Sequence, residues 1–578
     1  MPLVIPGLNA SAKHHHVDTD TCAIAGAKSL KSHVSFQDSK KKYPELVVVS
    51  KDALRLAGLR VEERKKDEDA TEERRVTSID GLVPILASDT PVPESEPASQ
   101  FYCRHQCDAF ANRVGDGIAS YLNTPADDEG SANVRWEVHF EGTGPALCPC
   151  NEDRQALGLM QTLALREFLG SEHLNALGIP TTRAASVVAV PNEATDTNDS
   201  AAAKAEPSAI VMRVARSFLS FGSFGIFDVA KSAARPNSNS ENDNAEMARQ
   251  LLDFTIKHYY PEVRMTENVP PETMYRLFFK ELVQRTAHLV AKWQSIGFCH
   301  GELDANHMSI VGDTLQDGAF GFMEHYDPTF LCSDAKAADD SCGRCRYENQ
   351  PNVCKENLSV LADQLALVVP REELEQELNA FDDAFSKEFY RLMREKLGLL
   401  HKFFPIDDKA LVDDLIKVLT ETSADFTRTF RSLAGVTPFD ARTQLMVVDE
   451  LVGLSQSLDQ AKRRAARMKL PPPAKTNAER HEAIRFAWTG WVRTYANRLK
   501  EESDRVPDAA NAMHRLTQVH RTNPAVVLRD HVAQKAVECA REGEYQLVAH
   551  IVELLAHPFD AVSPNDRVYA YPAVGFNP

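Results

Sequence analysis

Residues 44–59, PELVVVSKDALRLAGL, open with a short apolar run and continue with apolar positions at helical spacing. This predicts a strand followed by a helix. The next stretch, RVEERKKDEDATEERR (60–75), is charged throughout and is expected to be a solvated loop or helix face. Between residues 101 and 230, short apolar runs such as SAIVMRVA (208–215) alternate with Gly-rich turns, the profile of a mixed α/β lobe. Two polar inserts, 191–208 and 235–246, interrupt it and are expected to be mobile. From residue 247 the period changes. MYRLFFKELVQRTAHLVAKWQ (274–294) places its apolar side chains on one helical face, and residues 355–468 and 479–557 are also mostly helical. The prolines of LPPPAK (470–475) break the helices, because consecutive prolines cannot continue one. Trp293, Trp488 and Trp491 fall within helical patterns and read as core.

These patterns divide the chain into a tail (1–33), a smaller N-terminal lobe (34–246), a helical lobe (247–468) and a C-terminal helical region (469–578). The fold class is α/β in the broad sense, α+β in detail, with the bilobal layout of a protein kinase. A chain of 578 residues is too long for one compact core and calls for two or three packed subdomains. No run approaches the 18 apolar residues of a membrane span.

A formal charge of −18 opposes broad binding to nucleic acid or anionic lipid, so proteins are the expected partners. The basic segment QAKRRAARMKLPPPAK (460–475) reads as a solvated helix end, with RNA or an acidic protein surface as the alternative contact. The first 34 residues, which include His14, His15 and His16, are either a targeting remnant or a flexible tail; Asp18 and Asp20 depart from an acid-poor targeting pattern. Eleven cysteines, an odd number, without a secretion signal fit a reducing compartment. Cys332, Cys342, Cys345 and Cys354 have a spacing compatible with a tetrahedral zinc site; a redox pair or free thiols are the alternatives. Cys103, Cys107, Cys148 and Cys150 form a weaker second group.

Several long motifs identify a family. GSEHLNALGIPTTRA (170–184), AKWQSIGFCHG (291–301), GAFGFMEHYDPTFLC (318–332), YENQPNVCKENLSVLA (347–362) and NPAVVLRDHVAQKAVECAREGEY (523–545) resemble selenoprotein O, SelO, in the right order from about residue 34 onward. The resemblance implies a kinase-like fold that binds ATP in an inverted orientation and transfers AMP to protein hydroxyls, with mitochondrial eukaryotic members.

Transfer of this kind needs cations for the triphosphate, ligands for Mg²⁺ and a base for the hydroxyl proton. Against the family pattern, Gly115 and Gly117 of a Gly-rich turn remain, but Ile118 stands where a nucleotide-contacting Arg belongs. Glu141 occupies the position of the phosphate-binding Lys and reverses its charge. At 4 Å, such a like-charge contact costs about 1 kcal/mol in water and several in a shielded site. Asp153 is the only counterpart of a following acidic residue. Glu167 matches the helix glutamate that would pair with the Lys and would now face a glutamate. Arg213 is kept, Ser220 replaces a second Arg, and Arg216 is a new neighbour.

In HGELDANHMSIVGDTLQDGAFGFME (300–324), Asn306 replaces the base, while His307 and Gln316 replace two metal ligands. Asp304 and Asp317 are displaced substitutes. Asp304 lies two residues early, about 6–7 Å away along extended chain; Asp317 is one residue late, on the opposite face. A misplacement of about 1 Å can cost about 100-fold in rate. The expected function is therefore that of a non-catalytic, SelO-like scaffold, structural subunit or assembly factor, mitochondrial by resemblance. No cofactor is expected, with zinc at the cysteines the one exception. The alternative is an active, Mg-ATP-dependent AMP transferase that uses Asp304 or Asp317.

Overall fold

The computed structural model describes residues 44–59, 79–87, 96–106, 109–123, 135–142, 159–190, 208–225, 240–264, 269–315, 320–332, 343–399, 401, 405–467, 471, 474, 476–506 and 512–572. As the apolar run predicts, β1 (Glu45–Val49) leads into α1 (Lys51–Leu56). Ser50 caps this helix by accepting the Ala53 amide on its hydroxyl. Next come α2 (Ile79–Leu86), the long strands β2 (Glu96–Gln106) and β3 (Ala109–Asn123), β4 (Arg135–Glu141), β5 (Leu159–Met160), α3 (Gln161–Ala176), β6 (Arg183–Val190) and β7 (Ser208–Ala215). The strands form one antiparallel sheet in the order β1-β6-β7-β4-β3-β2, with β5 on the start of β7.

β7 reads as continuous apolar chain because both its faces are covered. Ile210, Met212 and Val214 face α1 and α2, while Ala209 and Val211 join the core built around α3. Arg213 is the one charged residue in this buried strand and comes from the α3 side.

After β7 comes a 3-10 turn, Phe221–Gly225, and the described residues resume in the helical lobe. This lobe starts with α4 (Ser240–Tyr259) and α5 (Pro271–Ile296). Gly297 ends α5 in the left-handed conformation (φ 73°), where a β-carbon would also collide with the Phe426 ring at 2.9 Å. Two short strands follow, β8 (Phe298–Cys299) and β9 (Gly321–Phe322), paired Phe298 to Phe322 and Cys299 to Gly321. Then come α6 (Gln350–Leu365), α7 (Arg371–Leu378), α8 (Phe381–Lys396), α9 (Pro405–Thr422), α10 (Phe426–Leu433), α11 (Ala441–Leu454), α12 (Leu458–Arg467), α13 (Asn477–Arg505), α14 (Ala512–Thr522), α15 (Asp530–Arg541) and α16 (Tyr545–Ala556).

Two cores divide this material. One surrounds α3, α5 and α6; the other holds α9–α11 and α13, with Trp488 and Trp491 buried in it and Trp293 in the first. The break at the prolines falls between α12 and α13, where Thr476 and Glu479 form a reciprocal capping box. α15 and α16 cross back to the N-terminal lobe. His173 of α3 bonds the Leu555 carbonyl at 2.9 Å through Nδ1, Arg541 donates to Thr162, and Arg166 pairs with Asp530.

Three expectations need adjustment. Residues 240–246 of the second polar insert are the opening turns of α4, so polarity there marks an exposed helix start. Gly115 and Gly117 lie within β3, with Gly115 in register with Phe101, so they form a strand interior and not a turn. Arg464, in the segment read as a solvated helix end, is bound on α12 to both Asp327 oxygens at 3.0 Å and to Ser423. Residues 1–33, the charged run 60–75, the first insert up to residue 207, Asp153, Cys107, Cys148 and Cys150 lie outside the described residues.

Candidate nucleotide cleft

β4 alternates in character: Trp136, Val138 and Phe140 share one face, while Glu137, His139 and Glu141 share the other. That polar face meets β7 and α3. The collision expected between Glu141 and Glu167 does not occur, because Arg213 stands between them. Its Nη1 donates to Glu141 Oε1 at 2.6 Å, and its Nε lies 2.8 Å from Glu167 Oε1. Nη2 donates to the Thr182 hydroxyl at 2.8 Å. All three guanidinium nitrogens therefore face an acceptor within 2.8 Å. The Arg213 and Glu167 side chains are only 7% and 2% exposed, so this is a desolvated charge cluster, with Glu141 at its more open end.

His139 completes the cluster. Its ring stacks on Phe218 with centroids 3.9 Å apart. Burial first, and the Arg213 charge second, depress its pKa to about 3, so the ring is neutral. Glu137, also buried, accepts from the Tyr259 hydroxyl at 2.8 Å and the Phe218 amide at 2.9 Å. Arg216, the new neighbour, is held by Asp313 at 2.7 Å.

In the helical lobe, the loop after β8 is pinned by His300. Its Nε2 lies 2.6 Å from the Leu315 carbonyl, and its amide donates to Gln350. Asp304 caps the 3-10 turn Ala305–His307: one oxygen, Oδ1, accepts the Asn306 and His307 amides and lies 2.8 Å from His307 Nδ1. Burial pushes the Asp304 carboxyl up, but the bonds from His307 and the two amides outweigh it and hold the group below the usual carboxylate range. His307 also lies 3.7 Å from Glu302, so its imidazole is bracketed by two acids. Asn306 is tucked against the turn at Phe221–Gly225. A β-carbon at Gly222 would fall 2.0 Å from Asn306 Oδ1, so only glycine admits this approach. Gln316 and Asp317 lie outside the described residues.

The cysteines separate. Cys354 is buried in the first core with its Sγ 3.8 Å from the Met308 sulfur, and burial raises its pKa well above the ordinary thiol value. Cys332 and Cys345 lie instead near Cys299, a residue that spacing alone did not single out. Cys342 lies outside the described residues, as does the side chain of Cys103. Among the described residues, no three or more His, Cys, Asp or Glu side chains converge as metal ligands would.

Residues 29–556 match the family described as protein adenylyltransferase SelO. The chain belongs to the SelO family. It is 33% identical to the mitochondrial protein adenylyltransferase SelO-1 of Danio rerio over 90% of this chain and 80% of that protein. The mitochondrial SelO of Homo sapiens is 32% identical over 90% of this chain and 81% of its own length. The protein nucleotidyltransferase YdiU of Salmonella schwarzengrund is 32% identical, covering 82% of this chain and 84% of its own. The mixed α/β architecture agrees with the kinase-like fold of the SelO family. Within the SelO frame, Glu137, Thr182, Asp313 and Cys299 emerge as organising residues only in three dimensions. The period-two run of polar residues in EVHFE (137–141) is the one local signal, and it points to Glu137 alone. No described helix of this SelO-family chain is long and apolar enough to cross a membrane.

Proposed function

We propose that this SelO-family chain no longer transfers AMP and acts through its protein surface, as a scaffold, structural subunit or assembly factor of a larger assembly, in mitochondria like the SelO relatives of Danio rerio and Homo sapiens. The observation that carries this reading is the ion pairing of Arg213 with both Glu141 and Glu167, beside its bond to Thr182. Where the family resemblance places a lysine for the triphosphate, this protein places a carboxylate. The nearest cation is already neutralised by two acids, so these residues do not fit a magnesium-bound triphosphate. Asn306 offers a neutral amide in place of a base, and one of the two Asp304 carboxylate oxygens, Oδ1, is committed to two amides and an imidazole.

The test incubates the full chain with Mg-ATP labelled on the α-phosphate and a mixture of proteins. No label above a control lacking the chain is expected. Transfer that disappears in Asp304→Ala or Asp317→Ala would establish the alternative, an active AMP transferase with displaced carboxylates. The scaffold reading predicts that the protein purified from its own cells migrates in a complex of fixed stoichiometry; a monomer throughout would overturn it.

A further inference from the structure

We infer that Cys299 and Cys332 form a redox-active dithiol, converted to an intramolecular disulfide by hydroperoxide. The β8–β9 pairing sets the two side by side. Cys299 is the register partner of Gly321, and a side chain at 321 would stand beside that of Cys299, about 4.5–5.5 Å away between β-carbons. Gly321 has no side chain, and Cys332 occupies the space: a β-carbon built on Gly321 would lie 2.9 Å from the Cys332 β-carbon. Cys332 therefore fills the place beside Cys299 that a cross-strand side chain would take. The Cys299 thiol is hydrogen-bonded to the Cys332 side chain. The same thiol reaches the Cys345 carbonyl at 3.4 Å.

The two thiols are unequal. Cys299 is fully buried, whereas Cys332 is partly exposed. The hydrogen bond from Cys299, aided by the nearby Arg166 charge, makes Cys332 the more acidic of the two, and the same contact together with burial makes Cys299 the less acidic. An accessible thiolate beside a protected resolving thiol is the arrangement that oxidation selects. The Cys332 thiolate attacks one peroxide oxygen: an S–O bond forms, the O–O bond breaks, and hydroxide leaves to become water. Cys299 then loses its proton and attacks the Cys332 sulfenic sulfur. The S–S bond forms, the S–O bond breaks, and a second water leaves. Two thiols and one hydrogen peroxide thus give one disulfide and two waters, and an external thiol reverses the step. Because Cys299 immediately precedes His300, the bond would tether the loop that carries Asp304 to the segment after β9. The inference does not depend on whether AMP transfer is lost.

The test treats the purified full chain with increasing hydrogen peroxide, blocks remaining thiols and maps peptides by mass spectrometry. The expected product is a Cys299–Cys332 cross-linked peptide that dithiothreitol removes, while Cys354 and Cys539 stay alkylated. In Cys299→Ala, Cys332 should accumulate as a sulfenic acid trapped by dimedone. Gly321→Ala, which pushes Cys332 aside, should reduce cross-linking several-fold. Oxidation of Cys332 onto Cys342 or Cys345, its direct passage to sulfinic acid in the wild-type chain, or no reaction at either residue would each overturn the proposal.

Discussion

Arg213 is a cation surrounded by acceptors in a place where water is excluded, and its removal is informative. Arg213→Met would leave Glu167 buried beside Glu141 without a counter-charge. Removing one partner of a buried ion pair costs about 3–5 kcal/mol, so the expected effect is a clear fall in melting temperature. A second change, Glu167→Gln, should recover part of the loss, because the stranded charge is then gone. Thermal unfolding of the single and double variants measures both effects. If Arg213→Met is as stable as the parent, the guanidinium is not what holds the glutamates.

Lys396 is the opposite case, a buried cation without an acid. Its ammonium lies 4.1 Å from the centre of the Phe430 ring and 5.7 Å from that of Phe426. Burial lowers its pKa from 10.5 to about 7. Below pH 7 both folded and unfolded chains hold the proton, and the full cost of burying the charge is present. Between pH 7 and about 10 the unfolded chain still holds a proton that the folded chain has released, so stability rises with pH. Each pKa unit is worth about 1.4 kcal/mol, which makes the total a few kcal/mol. Lys396→Met should be more stable than the parent at pH 6.5, and the gap should narrow by pH 9, as denaturant unfolding at the two values would show. A gap that widens with pH would refute this account.

At the scale of elements, α16 matters more than its place near the chain end implies. Val548, Ile551 and Leu555 are buried in the same core as α3 and α5, and His173 of α3 bonds the Leu555 carbonyl. Ile551→Ala should cost about 2–5 kcal/mol, as a fully buried large-to-small change does. The consequence specific to this packing is that amide exchange should quicken in α3, far away in sequence, as well as in α16. Exchange that changes in α16 alone would show that the two helices are not coupled.

For the whole molecule, the sequence made some parts plain and hid others for one physical reason. Periodicity and punctuation are local, so β1 with α1, the long α5, the proline break and the three buried tryptophans could be read directly. The SelO motifs added the kinase-like arrangement. Pairing across space is not local. Glu141 and Glu167 could be seen to oppose each other, yet the resolving Arg213 lies on a different strand, in register with His139. The cysteine spacing pointed to Cys354, whereas the sheet register selects Cys299. The turn expected at Gly115 and Gly117 is a strand because β2 runs alongside it. Asp304 Oδ1 caps its own turn, a bond that spacing along the chain does not show.

The return of α15 and α16 onto α3 has one more implication. An enzyme that admits a bulky cosubstrate and releases a product usually breathes, one half swinging against the other about a flexible joint. Here the last helices act as a buckle across that joint, fastened by an apolar seam, a histidine–carbonyl bond and the Arg166–Asp530 and Arg541–Thr162 contacts. Such a fastening opposes a swing of one half against the other, the property that the proposed scaffold role calls for.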